Sequence, residues 1–392
     1  PPSGQFMATV MFTPDGMYAY AGTQGESRLY NPDMWHLAGW WSDESAFSIT
    51  GHEDVLGNAW NQSGLIDTDI DFIADVAVMS DTAGAGACAS ACSCIYIATI
   101  NYAEYGPDER ESGYENKVGD CDSIWRKCST GGWLRIWHKA LSGSPMDPYD
   151  PLAWGDPENP VEWMVLGLAP EQKGNVRTIY AADLGSNMIY YSNATGNACC
   201  PAGLGCWTAR NPGLSNIADI AVLNASTIYV VDFNGKMVKS TTGGRHWSAT
   251  VETKVNGDTG EWAHHMVAWG DWVLLGGDMG TVSYSNDGGA TFTELDDIGT
   301  GQVHVAFDSY FNQNGYVYAA TAGTKSGVFR TTITAAKFTD MNACTDYDYW
   351  GIVVSDPNGN PKTSASTGGV LYASYNGSDT SPSGCKDSGV AR

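Results

Sequence analysis

Short apolar runs alternate with glycine- and asparagine-rich turns along the chain, and one such pattern occurs twice between Ile217 and Glu294. Each copy has three β-rich runs and closes on a glycine pair and an aromatic residue; the runs are 217–222, 226–235 and 236–247, then 264–270, 271–280 and 281–292. Such runs between turn residues predict strands. A strand unit that recurs at roughly 40 to 50 residues is typical of a propeller blade.

The same pattern divides the whole chain into seven repeats, and we expect one all-β domain with the fold of a β-propeller. Seven blades are predicted, with six or eight as alternatives, and with long loop insertions in the first two repeats. The expected blades cover about 6–72, 73–162, 163–216, 217–262, 263–302, 303–348 and 349–392. The last repeat stops after its third strand. It therefore predicts that the native chain continues past Arg392, or that a neighbouring subunit supplies the missing strand.

The second copy carries a recognisable motif at the end of its third run. Four residues fit the pattern Ser-x-Asp-x-Gly-x-x-aromatic: Ser285, Asp287, Gly289 and Phe292. The first copy keeps three of these positions: Ser240, Gly244 and Trp247. The motif resembles the Asp-box (BNR) repeat of sialidase-like and sortilin-like propellers. The resemblance implies a tight turn between the third and fourth strands of a blade, with a structural role.

Charge and hydropathy exclude two classes of function. The net charge is −24, from 44 acidic and 20 basic residues, and this would repel a phosphate backbone. We therefore expect no nucleic-acid partner. No apolar run approaches the roughly 18 residues that a membrane-spanning helix needs, so no membrane span is expected in this chain.

Cysteines and glycosylation sequons favour an oxidising compartment. Disulfides are the preferred interpretation of the ten cysteines, and zinc is the alternative, because no standard Cys-x-x-Cys pair occurs. The cysteines are Cys88, Cys92, Cys94, Cys121, Cys128, Cys199, Cys200, Cys206, Cys344 and Cys385. Four sequons are candidate glycosylation sites: Asn61, Asn193, Asn224 and Asn376. The first residue is Pro1, which a removed signal peptide or a chain boundary would explain.

Two groups of residues are candidate metal ligands. Asp67, Asp69 and Asp71 place three carboxylates at alternating positions, which suits calcium, although a solvated acidic strand end would look the same. His264 and His265 open one predicted first strand, and a further histidine, His304, occupies the matching strand of the next repeat. These three histidines form a weaker candidate site near the channel.

Enzymatic activity is not signalled clearly. The nine arginines do not form a pattern like the cluster with which sialidases bind the substrate carboxylate, and the nucleophile motif Gly-x-Ser-x-Gly does not occur. A pair of carboxylates like that of a glycosidase would arise by chance among 44 acidic residues. Asp75 and Asp219 occupy equivalent positions in their repeats, and repeated acids of this kind more often have a structural role at a turn or strand end than a catalytic one.

The sequence therefore predicts an extracellular structural or interaction protein, such as a subunit of a cell-surface layer or filament. The chain also resembles exported prokaryotic repeat-rich surface proteins. The expected partners are other copies of the chain, another surface protein, or glycans. The alternative is a secreted propeller that binds or hydrolyses polysaccharides with Trp-lined clefts and an acidic pair.

Overall fold

The computed structural model consists of short antiparallel strands with one four-residue helix in its described part. It describes residues 6–12, 19–24, 40–42, 61–62, 72–79, 94–100, 123–128, 134–138, 164–173, 176–183, 187–192, 207–255, 261–323, 326–335, 337–341, 343, 347–355, 370–377 and 389–391. No helix in these ranges has both the length and the apolar character that crossing a bilayer would require.

The first eight strands form one sheet in the order β4-β3-β2-β5-β6-β7-β8, with β1 paired to β2. They are β1 (Phe6–Phe12), β2 (Ala19–Gln24), β3 (Trp40–Ser42), β4 (Asn61–Gln62), β5 (Phe72–Met79), β6 (Cys94–Ile100), β7 (Ser123–Cys128) and β8 (Leu134–His138). A single residue pair, Gln24 with Phe72, joins the β1–β4 half to the β5–β8 half. Each half therefore has the composition of one four-stranded unit.

Four further sheets each contain four consecutive strands, and a last sheet contains three. They are β9 (Met164–Lys173), β10 (Val176–Asp183), β11 (Ile189–Ser192) and β12 (Thr208–Arg210); β13 (Ile217–Val222), β14 (Ile228–Asp232), β15 (Lys236–Ser240) and β16 (Val251–Glu252); β17 (Ala263–Trp269), β18 (Trp272–Gly277), β19 (Val282–Ser285) and β20 (Thr293–Glu294); β21 (Val303–Phe307), β22 (Tyr316–Thr321), β23 (Gly327–Thr332) and β24 (Thr339–Asp340); and β25 (Tyr347–Ser355), β26 (Val370–Gly377) and β27 (Gly389–Ala391). Helix α1 (Phe311–Asn314) lies between β21 and β22.

The first strands of successive units lie side by side in chain order, from β1 through β5, β9, β13, β17 and β21 to β25, and β25 lies next to β1. Sheets arranged in this way around one axis make a β-propeller. The predicted all-β propeller fold is confirmed. The number of blades and their boundaries stay predictions, as does the hypothesis about the strand that follows Gly389–Ala391.

Apolar side chains between neighbouring sheets form the core. One cluster joins Tyr229, Val231 and Met237 from β14 and β15 to Met266 and Leu275 from β17 and β18. All five side chains are buried. Burial on both faces of β14 explains why Ile228–Asp232 is an almost continuous apolar run instead of an alternating one.

A one-residue bulge interrupts five of the first strands. In β1 and β25 the pairing with the second strand shifts between Met7 and Thr9 and between Tyr349 and Gly351. The corresponding shift lies between Ile73 and Asp75 in β5, between Ile217 and Asp219 in β13, and between Ala263 and His265 in β17. The residues after the shift, Asp75, Asp219 and His265, therefore occupy equivalent positions.

The antiparallel order of strands sorts the connections between two ends of the propeller. Turns between second and third strands emerge at the same end as the links from a fourth strand to the next first strand. We call this the Trp262 end; it includes 233–236, 261–263, 277–281 and 296–302. The opposite end carries the turns between third and fourth strands, and we call it the Asp287 end; it includes 240–247 and 286–292.

We predict that Gly276→Ala destabilises the protein by about 3 kcal/mol, because overpacking a tight core costs this much. Gly276 lies against the next first strand, and a Cβ atom there would overlap the Val303 carbonyl oxygen and Cβ. Gly270→Ala is the control, since a Cβ at Gly270 meets nothing within 4 Å. Its positive φ of 60° limits the expected cost to about 1 kcal/mol. Urea unfolding that gave equal losses for both variants would contradict the packing described here.

Candidate functional site

A buried carboxylate, Asp219, and a half-buried one, Asp75, each connect neighbouring first strands near the propeller axis. Asp219 Oδ2 accepts a hydrogen bond of 2.6 Å from the backbone N–H of Met266 in the next sheet. Asp75 Oδ2 accepts one of 2.7 Å from the N–H of Leu166, likewise in the next sheet. In both residues Oδ1 accepts a bond of 2.7 Å from the following N–H of its own strand. Each carboxylate thus satisfies two backbone donors that belong to different sheets.

A histidine makes the corresponding bond between the next two sheets. His265 Nδ1 accepts a hydrogen bond of 3.2 Å from the backbone N–H of Val305. Because Nδ1 accepts, the neutral ring carries its proton on Nε2. Asp75, Asp219 and His265 therefore perform one structural role from one register position. Sequence comparison of the repeats aligns the two aspartates, but the change to histidine conceals the third member.

Three histidine rings come together where β17 and β21 meet. His264 Nε2 lies 3.1 Å from His304 Nε2, and the two rings pack edge to face with centroids 4.6 Å apart. The centroid of the His265 ring is 5.3 Å from that of His304. Burial lowers the pKa of His264 to about 3 and that of His265 to about 4, and it lowers the pKa of His304 well below its ordinary value. The rings are therefore neutral at pH 7, and one Nε2–H of the close pair donates to the other Nε2.

The three histidines do not form the predicted metal site. Within the described ranges, no three or more His, Cys, Asp and Glu side chains are arranged to hold a metal ion. The candidate calcium ligands Asp67, Asp69 and Asp71 lie outside the described residues. A calcium site there stays a prediction.

Burial also perturbs the two bridging carboxylates. It raises the pKa of Asp75 from 3.8 to about 7, while the N–H donors of Leu166 and Val76 oppose the rise. Burial raises the pKa of Asp219 as well, and the nearby negative charge of Asp75 adds to this rise. A raised carboxyl pKa in a channel can mark a catalyst. Here both oxygens of each group are already bound to backbone N–H groups, which favours a structural role.

The Trp262 end carries the large apolar side chains that are most exposed in the described residues. Trp262 and Met279 are each 54% exposed. Reciprocal hydrogen bonds fix their backbones: the Trp262 N–H donates to Asp278 Oδ1 at 2.6 Å, and the Asp278 N–H donates to the Trp262 carbonyl at 2.9 Å. The edge of Phe233 supports the indole ring, with ring centroids 5.9 Å apart. Nothing in the sequence pattern singled out this surface.

A buried carboxylate lies next to Trp262. Glu261 is only 6% exposed, and its Oε1 atom has no hydrogen-bond partner. Burial raises the pKa of Glu261, and the charges of Asp278 and Asp297 raise it further, while hydrogen bonds from Thr281 oppose the rise. Acidic groups therefore surround the exposed apolar residues at this end.

The Asp287 end contains the turns with the motif Ser-x-Asp-x-Gly. Ser285 Oγ donates to Asp287 Oδ1 at 2.7 Å and accepts the N–H of Gly289 at 2.9 Å. Asp287 also accepts bonds from the backbone and hydroxyl of Thr291, and these bonds lower its pKa to about 2. Phe292 is buried between sheets. The geometry is that of a closed structural turn.

The first copy of this turn keeps the same framework with one change. Ser240 Oγ accepts the N–H of Gly244 at 2.8 Å, and Thr242 Oγ1 takes the aspartate's place by accepting the N–H of His246 at 2.9 Å. Trp247 packs beside Gly244. Assignment of either turn to the Asp-box family rests on the sequence resemblance.

Most disulfide and glycosylation candidates lie outside the described residues. Cys94 and Cys128 are described in backbone only, and the register places them directly opposite each other on β6 and β7. Among the sequons, Asn224 lies in a tight turn, where its Oδ1 accepts the N–H groups of Ser226 and Thr227. Disulfides and glycosylation stay predictions.

The described arginines do not converge on the channel. Arg210 on β12 stacks over the Tyr191 ring at 4.0 Å, and Arg330 on β23 lies 4.7 Å from the centroid of Tyr316. Both belong to third or fourth strands, away from the axis. In the part of the chain that the structure describes, these contacts give them packing roles.

We predict that Asp219→Ala destabilises the protein by about 2 to 5 kcal/mol. The change leaves the N–H groups of Ile220 and Met266 without their acceptor, and each unsatisfied buried donor costs about 1 to 3 kcal/mol. Asp287→Ala is the control, because its carboxylate is exposed to solvent and its donors can bind water. Chemical denaturation should show the larger loss for Asp219→Ala, and the reverse order would contradict the bridging role.

The stability of the protein should depend on pH through two opposing groups. The folded state binds a proton on Asp75 more tightly than the unfolded chain, so this group contributes increasing stability as pH falls from about 7 to 3.8. His264 has the opposite effect, because its folded pKa is depressed to about 3 and stability is lost as pH falls below 6.5. Each slope approaches about 1.4 kcal/mol per pH unit for one proton.

Urea unfolding across this range separates the two effects. Relative to the unmodified protein, Asp75→Asn should become less stable as pH falls, whereas His264→Gln should become more stable. Differences that do not change with pH would show that neither group is perturbed in the folded state.

Comparison with known proteins supports the fold of the chain but assigns it to no family. No family model and no curated protein matches the chain. Among solved structures, YCF48 from Cyanidioschyzon merolae is similar, with a TM-score of 0.51 and 11% identity over 90% of this chain and 91% of that chain. A structure of YCF48 bound to D1 peptide gives a TM-score of 0.40 and 12% identity over 74% of this chain and 66% of that chain. YCF48 is a β-propeller, and this agrees with the sheet arrangement.

The comparisons correct the predicted biological setting. The solved structure that is similar over most of the chain is a YCF48 protein and not a subunit of an extracellular assembly. The predictions of a cell-surface layer or filament, of a secreted or extracellular location and of self-assembly are therefore wrong, and the alternative of a secreted polysaccharide-active propeller falls with them. The number of cysteines and the sequons do not establish secretion, because both also occur in proteins that are not secreted. The chain has the fold of a β-propeller similar to YCF48.

Proposed function

We propose that this propeller binds a peptide segment of a partner protein across its Trp262 end. The observation that carries the proposal is the pair of exposed apolar side chains, Trp262 and Met279, on a surface whose backbone is fixed by hydrogen bonds. The predicted partners included another protein, and this coarser expectation is retained. Self-association is not retained.

The chemistry of Trp262 suits a binding site. Tryptophan is among the residues that contribute most to protein interfaces, because its ring buries a large area with few rotatable bonds. The ring of Phe233 supports one edge of the indole, and Asp278 holds its backbone. A surface that is already ordered loses little entropy when a ligand docks on it. An extended peptide can therefore gain contacts here without a rearrangement of the sheets.

The fold is compatible with this class of ligand. One of the compared structures is of YCF48 bound to D1 peptide, and this binding is a property of YCF48. At 11% identity, the similarity to YCF48 supplies no ligand for this chain. The proposal therefore rests on the exposed side chains and their support.

Selection from a random 12-residue peptide display library on the immobilised protein tests the proposal. We expect selected peptides to bind Trp262→Ala at least 10-fold more weakly than the unmodified protein in fluorescence anisotropy, since truncation of a central tryptophan costs about 2 kcal/mol or more. Met341→Ala is the control, because Met341 is also an exposed apolar residue (41%) but lies on the link after strand β24, a different link from the one that carries Trp262. It should change affinity less than twofold.

Two outcomes would overturn the proposal. The first is a set of selected peptides that bind Trp262→Ala as tightly as the unmodified protein. The second is a selection that yields no peptide with measurable affinity. Unchanged thermal unfolding of Trp262→Ala would confirm that lost binding is not lost folding.

A further inference from the structure

We infer that Met279 is a site of reversible oxidation, at which a peroxide converts the thioether to a sulfoxide and thereby weakens peptide binding at the Trp262 end. The inference rests on the proposed function, because Met279 belongs to the same surface. It adds a means of regulation to that surface, namely the two-electron oxidation of one exposed methionine.

Exposure separates Met279 from the methionines of the core. Its side chain is 54% exposed, whereas Met237 and Met266 are 0% and 3% exposed and pack between the sheets. A peroxide must touch the sulfur atom to oxidise it, so burial protects the two core methionines. Met341, at 41%, is the other exposed methionine among the side chains that the structure describes, and it lies on a different link.

Hydrogen bonds on both sides of Met279 hold its turn in place. The N–H group of Asp278 donates to the Trp262 carbonyl at 2.9 Å, and that of Gly280 donates to the Gly301 carbonyl at 3.1 Å. The turn is therefore anchored to two neighbouring links. This anchoring keeps the Met279 side chain at the surface, on a turn that is bonded directly to Trp262.

Oxidation would change the chemistry of the proposed binding surface. Methionine offers a flexible, apolar and polarisable side chain, which suits contact with varied apolar groups. The sulfoxide is polar and accepts hydrogen bonds from water. A peptide that packs apolar atoms on the oxidised Met279 must remove that water without replacing its hydrogen bonds, and this desolvation opposes binding.

The reaction balances with a peroxide as the only co-reactant. A lone pair of the sulfur atom attacks one peroxide oxygen, the O–O bond breaks and an S–O bond forms. The sulfur atom loses two electrons, and the rest of the peroxide is reduced to water or an alcohol. Methionine sulfoxide reductases reverse the change with electrons from a thiol.

Mass spectrometry of the folded protein during treatment with hydrogen peroxide tests the site without any peptide. We expect Met279 and Met341 to become oxidised at least 10-fold faster than Met237 and Met266. Oxidation of Met279 at the rate of the two core methionines would overturn the inference.

Fluorescence anisotropy tests the consequence, with a selected peptide that contains no methionine or cysteine and is added after the peroxide has been removed. Oxidation should weaken binding at least fivefold, in proportion to the fraction of Met279 sulfoxide, and a methionine sulfoxide reductase should restore it. Peroxide should change the affinity of Met279→Leu less than twofold, whatever its starting value. Met341→Leu is the matched control and should still lose at least fivefold. Thermal unfolding verifies that both variants fold.

The outcomes separate this inference from the proposed function. Peptides that need Trp262 but bind the oxidised protein as tightly as the untreated protein would overturn the regulation alone. An equal loss for Met279→Leu, or a loss that the reductase does not reverse, would place the effect on another residue and would also overturn it. Peptides that do not need Trp262 would overturn the proposed function itself, and the regulation with it.

Discussion

Hydrogen bonds that side chains of one first strand accept from the backbone of the next are the constraint on which this propeller depends. Neighbouring first strands belong to different sheets, so a backbone N–H group that faces the preceding sheet needs an acceptor other than a strand partner. Asp75, Asp219 and His265 supply acceptors from one equivalent position after a bulge. The bonds set the spacing of the sheets at the axis. Apolar packing such as that around Tyr229 then fills the space farther out.

This fixed arrangement determines what each end of the propeller presents. At the Asp287 end, the Ser285 and Ser240 turns use their polar groups internally, and their aromatic residues pack between sheets. At the Trp262 end, by contrast, Trp262 and Met279 remain exposed, and Glu261 keeps an unpartnered oxygen. The two ends are therefore chemically different. Among the described residues, the two most exposed large apolar side chains, Trp262 and Met279, both lie at the Trp262 end.

The repeat pattern predicts the strands well because period and turn residues are local signals. The strands Ile217–Val222 and Ile228–Asp232 agree closely with the predicted runs 217–222 and 226–235. The bulge before Asp219 and the contact between His264 and His304 could not be predicted, since both depend on pairing between distant segments. Trp262 lies in no motif, and its contact with Asp278 likewise depends on pairing between distant segments. The biological setting was predicted wrongly because it was inferred from amino-acid composition, and proteins with many different functions share a similar composition.

Hydrogen–deuterium exchange of the protein with and without a selected peptide tests the central claim, that the Trp262 end is the binding surface, most directly. The account predicts that exchange slows at backbone amides of 261–263 and 277–281, while amides of 286–292 at the Asp287 end are unchanged. Protection confined to 286–292, or equal protection at both ends, would contradict it.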